Sequence, residues 1–476
     1  MNPTFFSRRE ALMRAGGGLG WLACAALLDK TGWNAMAASG NPLAPKRPPL
    51  QPRAKSVIWI FANGGPSQVD TWDYKPELQK RDGQTLEGFD PKTGFFPGSA
   101  GALMKSPFEW AQHGASGTWG SDLFPHLNRH VDKMAFVHSC WTGSNNHSPA
   151  LFMMNTGITR MGSPCVGSWV TYGLGSEAES LPSFVVMSDP LNRGLPKGNA
   201  LNWGAGFLPS VYQGTWLKPS GEPIENLKPE IAGNTQRAQL DLLGRLNRRG
   251  LAESPIESEL SARIESFELA YRMQTAAPEA FAIHEEPEHI KTAYGIGTQH
   301  CGHFAAQCLM ARRMVERGVR FVQIYSGGME NQQSWDCHSD LVGNHRGFAL
   351  EADQPVAALL ADLEQRGMLK DTLVVWAGEF GRTPVAQKAA KPGRDHNPHA
   401  FTAWMAGGGV KGGVHYGETD EVGYKAVRDK VHVRDFHATL LALLGLDHEK
   451  LSFRFQGLDQ RLTGVESARV ITDLFA

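Results

Sequence analysis

Ser56-Val57-Ile58-Trp59-Ile60-Phe61 is a continuously apolar run, and it ends in Asn63-Gly64-Gly65-Pro66. A run with no polar face reads as a strand buried on both sides, the habit of parallel sheets, entering a tight loop. Similar runs recur at residues 135–138, 184–187, 320–325, 372–377 and 401–405. Between them, apolar residues at three- and four-residue spacing predict helices over 256–273, 303–317 and 348–366. Asp435 is placed to cap a last helix that reaches Leu444 and stops at Gly445. Strands alternating with helices predict a single α/β domain over residues 55–476, with a mainly parallel central sheet and helices on both faces. The stretch from about 190 to 255, with clustered Gly, Pro, Asn and Arg, reads as an insertion or cap.

The chain has 476 residues, 47 Lys+Arg against 48 Asp+Glu, and a formal net charge of -1. That balance supplies no field for binding nucleic acid or an anionic membrane. A hydrophobic fraction of 41% with 20% charged residues is globular, and argues against disorder and against a multi-span membrane protein. The 53 Gly and 28 Pro exceed average use and predict long, shaped loops, where sites are built.

The first 37 residues read as an export signal. Ser7-Arg8-Arg9-Glu10-Ala11-Leu12 puts paired arginines before a short apolar stretch, residues 19–28, and Ala35-Met36-Ala37 offers small residues for cleavage after Ala37. A lipoprotein site at Cys24 competes, but Trp21-Leu22-Ala23 is a poor lipobox. The expectation is a twin-arginine signal, hence contact with the twin-arginine translocation machinery, a periplasmic or extracellular location, and no membrane span after cleavage. Residues 38–54 read as a linker. Cys140, Cys165, Cys301, Cys308 and Cys337 remain after cleavage, odd in number and widely spaced, so they predict neither a disulfide framework nor a zinc knuckle.

In an open α/β sheet the ligand lies beyond the carboxyl ends of the strands. The first strand delivers Asn63, Asp70 and Asp73, and the second leads to Ser144-Asn145-Asn146-His147-Ser148. The run at 320–325 leads to Asp336, His338, Asp340 and His345-Arg346, and the next leads to Glu379-Phe380-Gly381-Arg382 and then Asp395, His396 and His399. Each motif alone reads as a solvated loop or strand exit, and Gly407 to Gly413 as a flexible turn lacking the Lys-Ser/Thr of a phosphate loop. Their joint delivery to one sheet edge points instead to a metal, and mixed Asp, Glu and His is ligand chemistry of zinc, manganese or iron.

Four segments carry a resemblance: Asn63-Gly-Gly-Pro-Ser-Gln-Val-Asp-Thr-Trp-Asp73, Trp335-Asp-Cys-His338, Gly378-Glu-Phe-Gly-Arg-Thr-Pro384 and Gly393-Arg-Asp-His396. Together they resemble the bacterial domain-of-unknown-function 1501 family, placed with the alkaline phosphatase-like superfamily of sulfatases and phosphopentomutases. The resemblance implies a three-layer α/β fold and a divalent metal, zinc, manganese or calcium. It implies an anionic phosphate or sulfate ester as substrate, on a polysaccharide as one choice.

Residue by residue, the resemblance places Glu379 at a ligand Asp, Phe380 at a ligand His, and His396 at the last ligand His. Asp340 and His345 resemble a spaced ligand pair, with Asp336 and His338 competing for that role. His147 falls where sulfatases carry their formylglycine precursor. The expected metal set is therefore Asp336, His338, Glu379 and His396, with Asn63, Asp340, His345 and His399 as further candidates. The expected catalytic set is Ser144 or Ser148 as nucleophile, His147 as base, and Arg382 as clamp on the anion. Asn63 stands where the superfamily has a metal-binding Asp, Phe380 cannot ligate, and no Cys or Arg completes the sulfatase segment. These departures argue for one metal rather than two and against formylglycine chemistry. They also keep open a second reading, a non-catalytic binding or structural protein on the same scaffold.

Overall fold

A computed structural model describes residues 41–218, 224, 233–253 and 258–476. The expected export signal lies outside the described residues.

The apolar run that begins at Ser56 is a strand, Ser56–Ala62, buried along its whole length. It sits between two parallel neighbours, Phe321–Ser326 and Thr372–Ala377, with Ile60 level with Ile324 on one side and Trp376 on the other. Because side chains alternate across a strand, its apolar residues serve two cores at once. Ile58, Ile60 and Ala62 pack into the core that includes the helices Gly302–Glu316 and Leu341–Gln365. Val57, Trp59 and Phe61 pack into the opposite core, with Val166–Leu174 and Val433–Leu443. This double burial is why the run has no polar face, and it makes the three-layer α/β architecture.

Among the described residues, the central sheet has nine strands. From one edge the order is Val414–Tyr416, Met134–Trp141, Phe401–Gly407, Thr372–Ala377, Ser56–Ala62, Phe321–Ser326, Phe184–Met187 and Thr215–Leu217, and Val431–His432 also pairs with Met134–Trp141. One expectation is corrected here. The run at 401–405 forms the strand Phe401–Gly407, but it is antiparallel to both neighbours, since burial on two faces does not encode direction.

Two further readings change. The loop expected to carry His396 is a strand, Gly393–Asn397, paired antiparallel with Gly381–Gln387, which in turn pairs with Ala100–Leu103. Asp435 is not the cap of the last helix, Val433–Leu443. His432 occupies the cap and accepts the Arg434 N–H, while the Asp435 carboxylate reaches back to the His432 N–H at 3.0 Å.

Residues 41–54, read as a linker, are tied to the domain. The Lys46 N–H donates to the Leu174 carbonyl at 2.8 Å, and the Arg53 and Ala54 N–H groups donate to the Leu443 carbonyl. The five described cysteines are buried and free. Among the described residues, no helix is long and apolar enough to cross a membrane.

Candidate metal centre

His147, His338 and His396 surround Asp336, the four side chains coming from three segments beyond the strand ends. His147 is the first residue of the helix His147–Thr156, held there by the Asn146 side chain, which accepts the Ser148 N–H at 3.2 Å. Asp336 and His338 lie on the loop after Phe321–Ser326, and His396 is level with Arg382 across the small antiparallel pair.

The three imidazoles share one plan. His147 Nδ1 faces Glu379 Oε1 at 2.7 Å, His338 Nδ1 faces Gln387 Oε1 at 2.7 Å, and His396 Nδ1 faces the Asn145 carbonyl at 2.6 Å. Each Nδ1–H therefore donates outward, and each Nε2 points inward at Asp336. Those inward distances are 3.3 Å from His147 to Oδ2, and 3.1 and 3.2 Å from His338 and His396 to Oδ1. Histidines that ligate metals show this arrangement, the far nitrogen fixed by a carboxylate, carbonyl or amide oxygen.

Burial, reinforced by the Arg382 and His147 charges, drives His396 well below the ordinary imidazole range despite its contact with Asp336, so its ring is neutral. A neutral ring carries one proton, and the Asn145 carbonyl can only accept it at Nδ1. His396 Nε2 thus presents a lone pair to a carboxylate oxygen 3.2 Å away, a contact that is repulsive unless a cation lies between them. His147 Nε2 is buried and faces Asp336 Oδ2 at 3.3 Å without a well-formed hydrogen bond.

The spacing fits such an ion. A tetrahedral site with bonds of about 2.0–2.1 Å has edges of about 3.3 Å. His147, Asp336 and His396 offer ligand atoms that all lie within 4.8 Å of one another, as do His338, Asp395 and His396. The residues present therefore fit a divalent cation with nitrogen and oxygen ligands.

Charge is balanced around Asp336. Burial alone would raise its carboxyl, but the Arg382 guanidinium, with help from the imidazoles around it, holds it far below the usual carboxylate range. Burial alone would lower His147, but Asp336 and Glu379 outweigh it and raise that ring to about 9.

The structure distributes the expected residues as follows. Asp336, His338 and His396 stand together. Glu379 is behind His147 rather than beside Asp336, with both oxygens accepting the Gly64 N–H at 3.0 and 3.1 Å. Arg382 is fully buried and spends its donors inside the protein, on Asp336 at 2.8 Å and on the carbonyls of Gly64, Gly65 and Arg394, so it does not face an incoming anion. Asn63 donates to the Gly328 carbonyl, and its Oδ1 is buried without a partner.

Asp340 sits apart as the cap of the helix Leu341–Gln365, accepting the Gly343 N–H and pairing with Lys391. His345 is a buried core histidine whose Nε2 accepts the Ser67 N–H at 3.0 Å, and burial pushes it down to about 3. His399 is exposed and turns its ring to Tyr424. Ser144 Oγ accepts the Asn146 N–H at 3.2 Å, and among the described contacts neither it nor Ser148 touches Asp336 or the imidazoles.

Sequence reasoning missed Gln387, and it named Asn145 and Asp395 at the strand exits without giving them a role. Asn145 and Asp395 lie beside residues it had singled out, whereas Gln387 carries no such signal. Phe380, which cannot ligate, fills the floor with its ring 4.9 Å from His147 and 4.4 Å from His396.

Residues 54–475 match the family described as "Protein of unknown function (DUF1501)". The chain belongs to that family. No curated protein matches it. Among solved structures it is similar to the sulfatase PsFucS1 from Pseudoalteromonas sp., at 12% identity and a TM-score of 0.36, covering 95% of this chain and 75% of that one. It is also similar to a phosphonate monoester hydrolase from Silicibacter pomeroyi, at 9% identity and a TM-score of 0.34, covering 89% and 76%. A lipoteichoic acid synthase from Listeria monocytogenes matches at 9% identity and a TM-score of 0.32, covering 91% and 80%.

Proposed function

We propose that this chain is an exported hydrolase of phosphate or sulfate esters that works with one divalent cation held by His147, His338, His396 and Asp336. The observation that carries the reading is the inward convergence of three Nε2 atoms on one buried carboxylate while every Nδ1 is tied outward. When bound, the cation supplies Lewis acidity toward an ester oxygen.

The remaining work falls to the chain's own groups. Glu379, Gln387 and the Asn145 carbonyl fix the three rings so that each presents Nε2 inward. Arg382 holds the Asp336 carboxylate in place and keeps it ionised. Phe380 excludes water from the floor of the site. The ester class comes from the resemblance of the motifs to the phosphatase-like superfamily, and a polysaccharide ester outside the cytoplasm is the substrate that fits export.

The test is elemental analysis of the folded protein followed by a screen of aryl phosphates and sulfates. Bound metal with turnover, both lost in Asp336→Ala and His396→Ala, supports the proposal. Full metal content in those variants refutes the site.

One observation favours a second reading, a cation-holding protein without turnover: among the described contacts no hydroxyl touches the centre, and Arg382 is spent on internal partners. Bound metal with no turnover on any ester would select it.

A further inference from the structure

Phe95 and Phe96 stand over the candidate metal centre and belong to none of the roles above. Each is 44% exposed, although the large aromatic residues of the cores are almost wholly buried. Their rings meet edge to face at 5.0 Å. Phe96 lies edge-on to His338, with centroids 4.9 Å apart, and Phe95 lies 5.8 Å from His396. His338 is the most open of the four converging side chains, 16% exposed against 7% for His147, so the phenyl pair flanks the accessible side of the centre.

The loop carrying the pair is fastened by the same residues that orient His396. The Asp395 carboxylate accepts the Phe95 N–H at 2.9 Å, the Phe96 N–H at 2.8 Å and the His396 N–H at 2.8 Å. The Asn145 amide donates to the carbonyls of Lys92, Thr93 and Gly94 at 3.2, 3.1 and 2.9 Å, while its own carbonyl accepts from His396 Nδ1. A Cβ at Gly94 would collide with the Asp395 carboxylate, so only glycine permits this approach. The rings are thus held in fixed register with the imidazoles.

We infer that Phe95 and Phe96 determine specificity by receiving the apolar carbon skeleton of the ester's alcohol. This rests on the proposed cation site, because it needs the anionic group seated beside His338 and His396. An ester has a charged end that the centre can hold and a carbon end that must lie somewhere against the protein. A rigid, exposed aromatic pair touching two of the imidazoles is the surface that meets that carbon end, and aromatic pairs of this geometry favour apolar or ring-shaped groups.

The test is calorimetric titration of the full zinc-loaded chain with phenylphosphonate, methylphosphonate and inorganic phosphate. Phenylphosphonate should bind roughly tenfold more tightly than methylphosphonate. Phe95→Ala and Phe96→Ala should each bring that ratio toward one, with zinc content and methylphosphonate affinity unchanged. Phe96→Leu, which keeps the bulk and should keep the fold, should lose part of the ratio if alanine disturbs the loop.

Equal binding of the two phosphonates by the native chain, or a ratio that survives all three substitutions, overturns the inference while leaving the anion site standing. Zinc retained with no binding of either phosphonate or of phosphate overturns the anion site itself, and this inference with it.

Discussion

Glu379→Gln tests the division of labour in the centre. The Glu379 carboxylate takes the His147 Nδ1–H on one oxygen at 2.7 Å and the Gly64 N–H on both, at 3.0 and 3.1 Å. Glutamine keeps the volume and one oxygen but removes the charge and turns the other oxygen into a donor. With its oxygen at the Oε1 position the amide still reaches both N–H groups, but its nitrogen then faces the Gly64 N–H 3.1 Å away, donor against donor, and the His147 anchor has lost its charge. Loss of an outer partner of a metal-bound histidine costs about 10- to 100-fold in metal affinity, or about 1.4–2.8 kcal/mol. Zinc affinity by competition with a chromophoric chelator measures it, with circular dichroism confirming the fold. Zinc binding within twofold of the native chain would show that His147 is no ligand. Loss as complete as in Asp336→Ala would place Glu379 itself on the cation.

Three further outcomes are expected. Asp340→Ala should cost about 1 kcal/mol through loss of a helix cap, read from thermal melting, while metal content stays unchanged because Asp340 lies outside the centre. Asp70→Ala leaves Arg394 buried without the carboxylate that meets its Nε at 2.6 Å, and should destabilise the fold by about 3–5 kcal/mol in urea titration.

The third concerns acid. His437 is buried, donates from Nε2 to the Met154 carbonyl at 2.8 Å, and is pushed by burial down to about 4. Its folded value is below the unfolded one of about 6.5, so between these values the unfolded chain binds more protons and stability falls as pH falls. At pH 5 this amounts to about 2 kcal/mol, and a His437→Gln variant should show a correspondingly shallower pH slope in denaturant melts.

Much of the fold was legible because burial on two faces leaves a plain trace. The run at residues 56–61 predicts a parallel strand buried on both faces, and the strand Ser56–Ala62 lies between two parallel neighbours. The meeting of Asp336, His338 and His396 was legible for a related reason: strand exits in such sheets lie on one edge. The placement of His147 beside Asp336 with Glu379 behind it was not, since it depends on which atom is nearer a third group supplied by another loop. Nor was the pairing of Gly381–Gln387 with Gly393–Asn397, whose strands carry Arg382, Arg394 and His396 rather than an apolar stripe and are buried by polar bonds. Asp340 and His345 misled because a cap and a neutral core imidazole use the same residue types as a ligand pair.

Arg382 has one more implication. Its guanidinium joins the turn after the first strand, the Asp336 loop and the strand that bears His396, segments that are strangers in the chain until the sheet is complete. A cation held as proposed would therefore meet its donors only on a finished protein. Were a divalent ion bound there, the supply of metals in the compartment where folding ends would weigh on the choice of occupant alongside coordination strength.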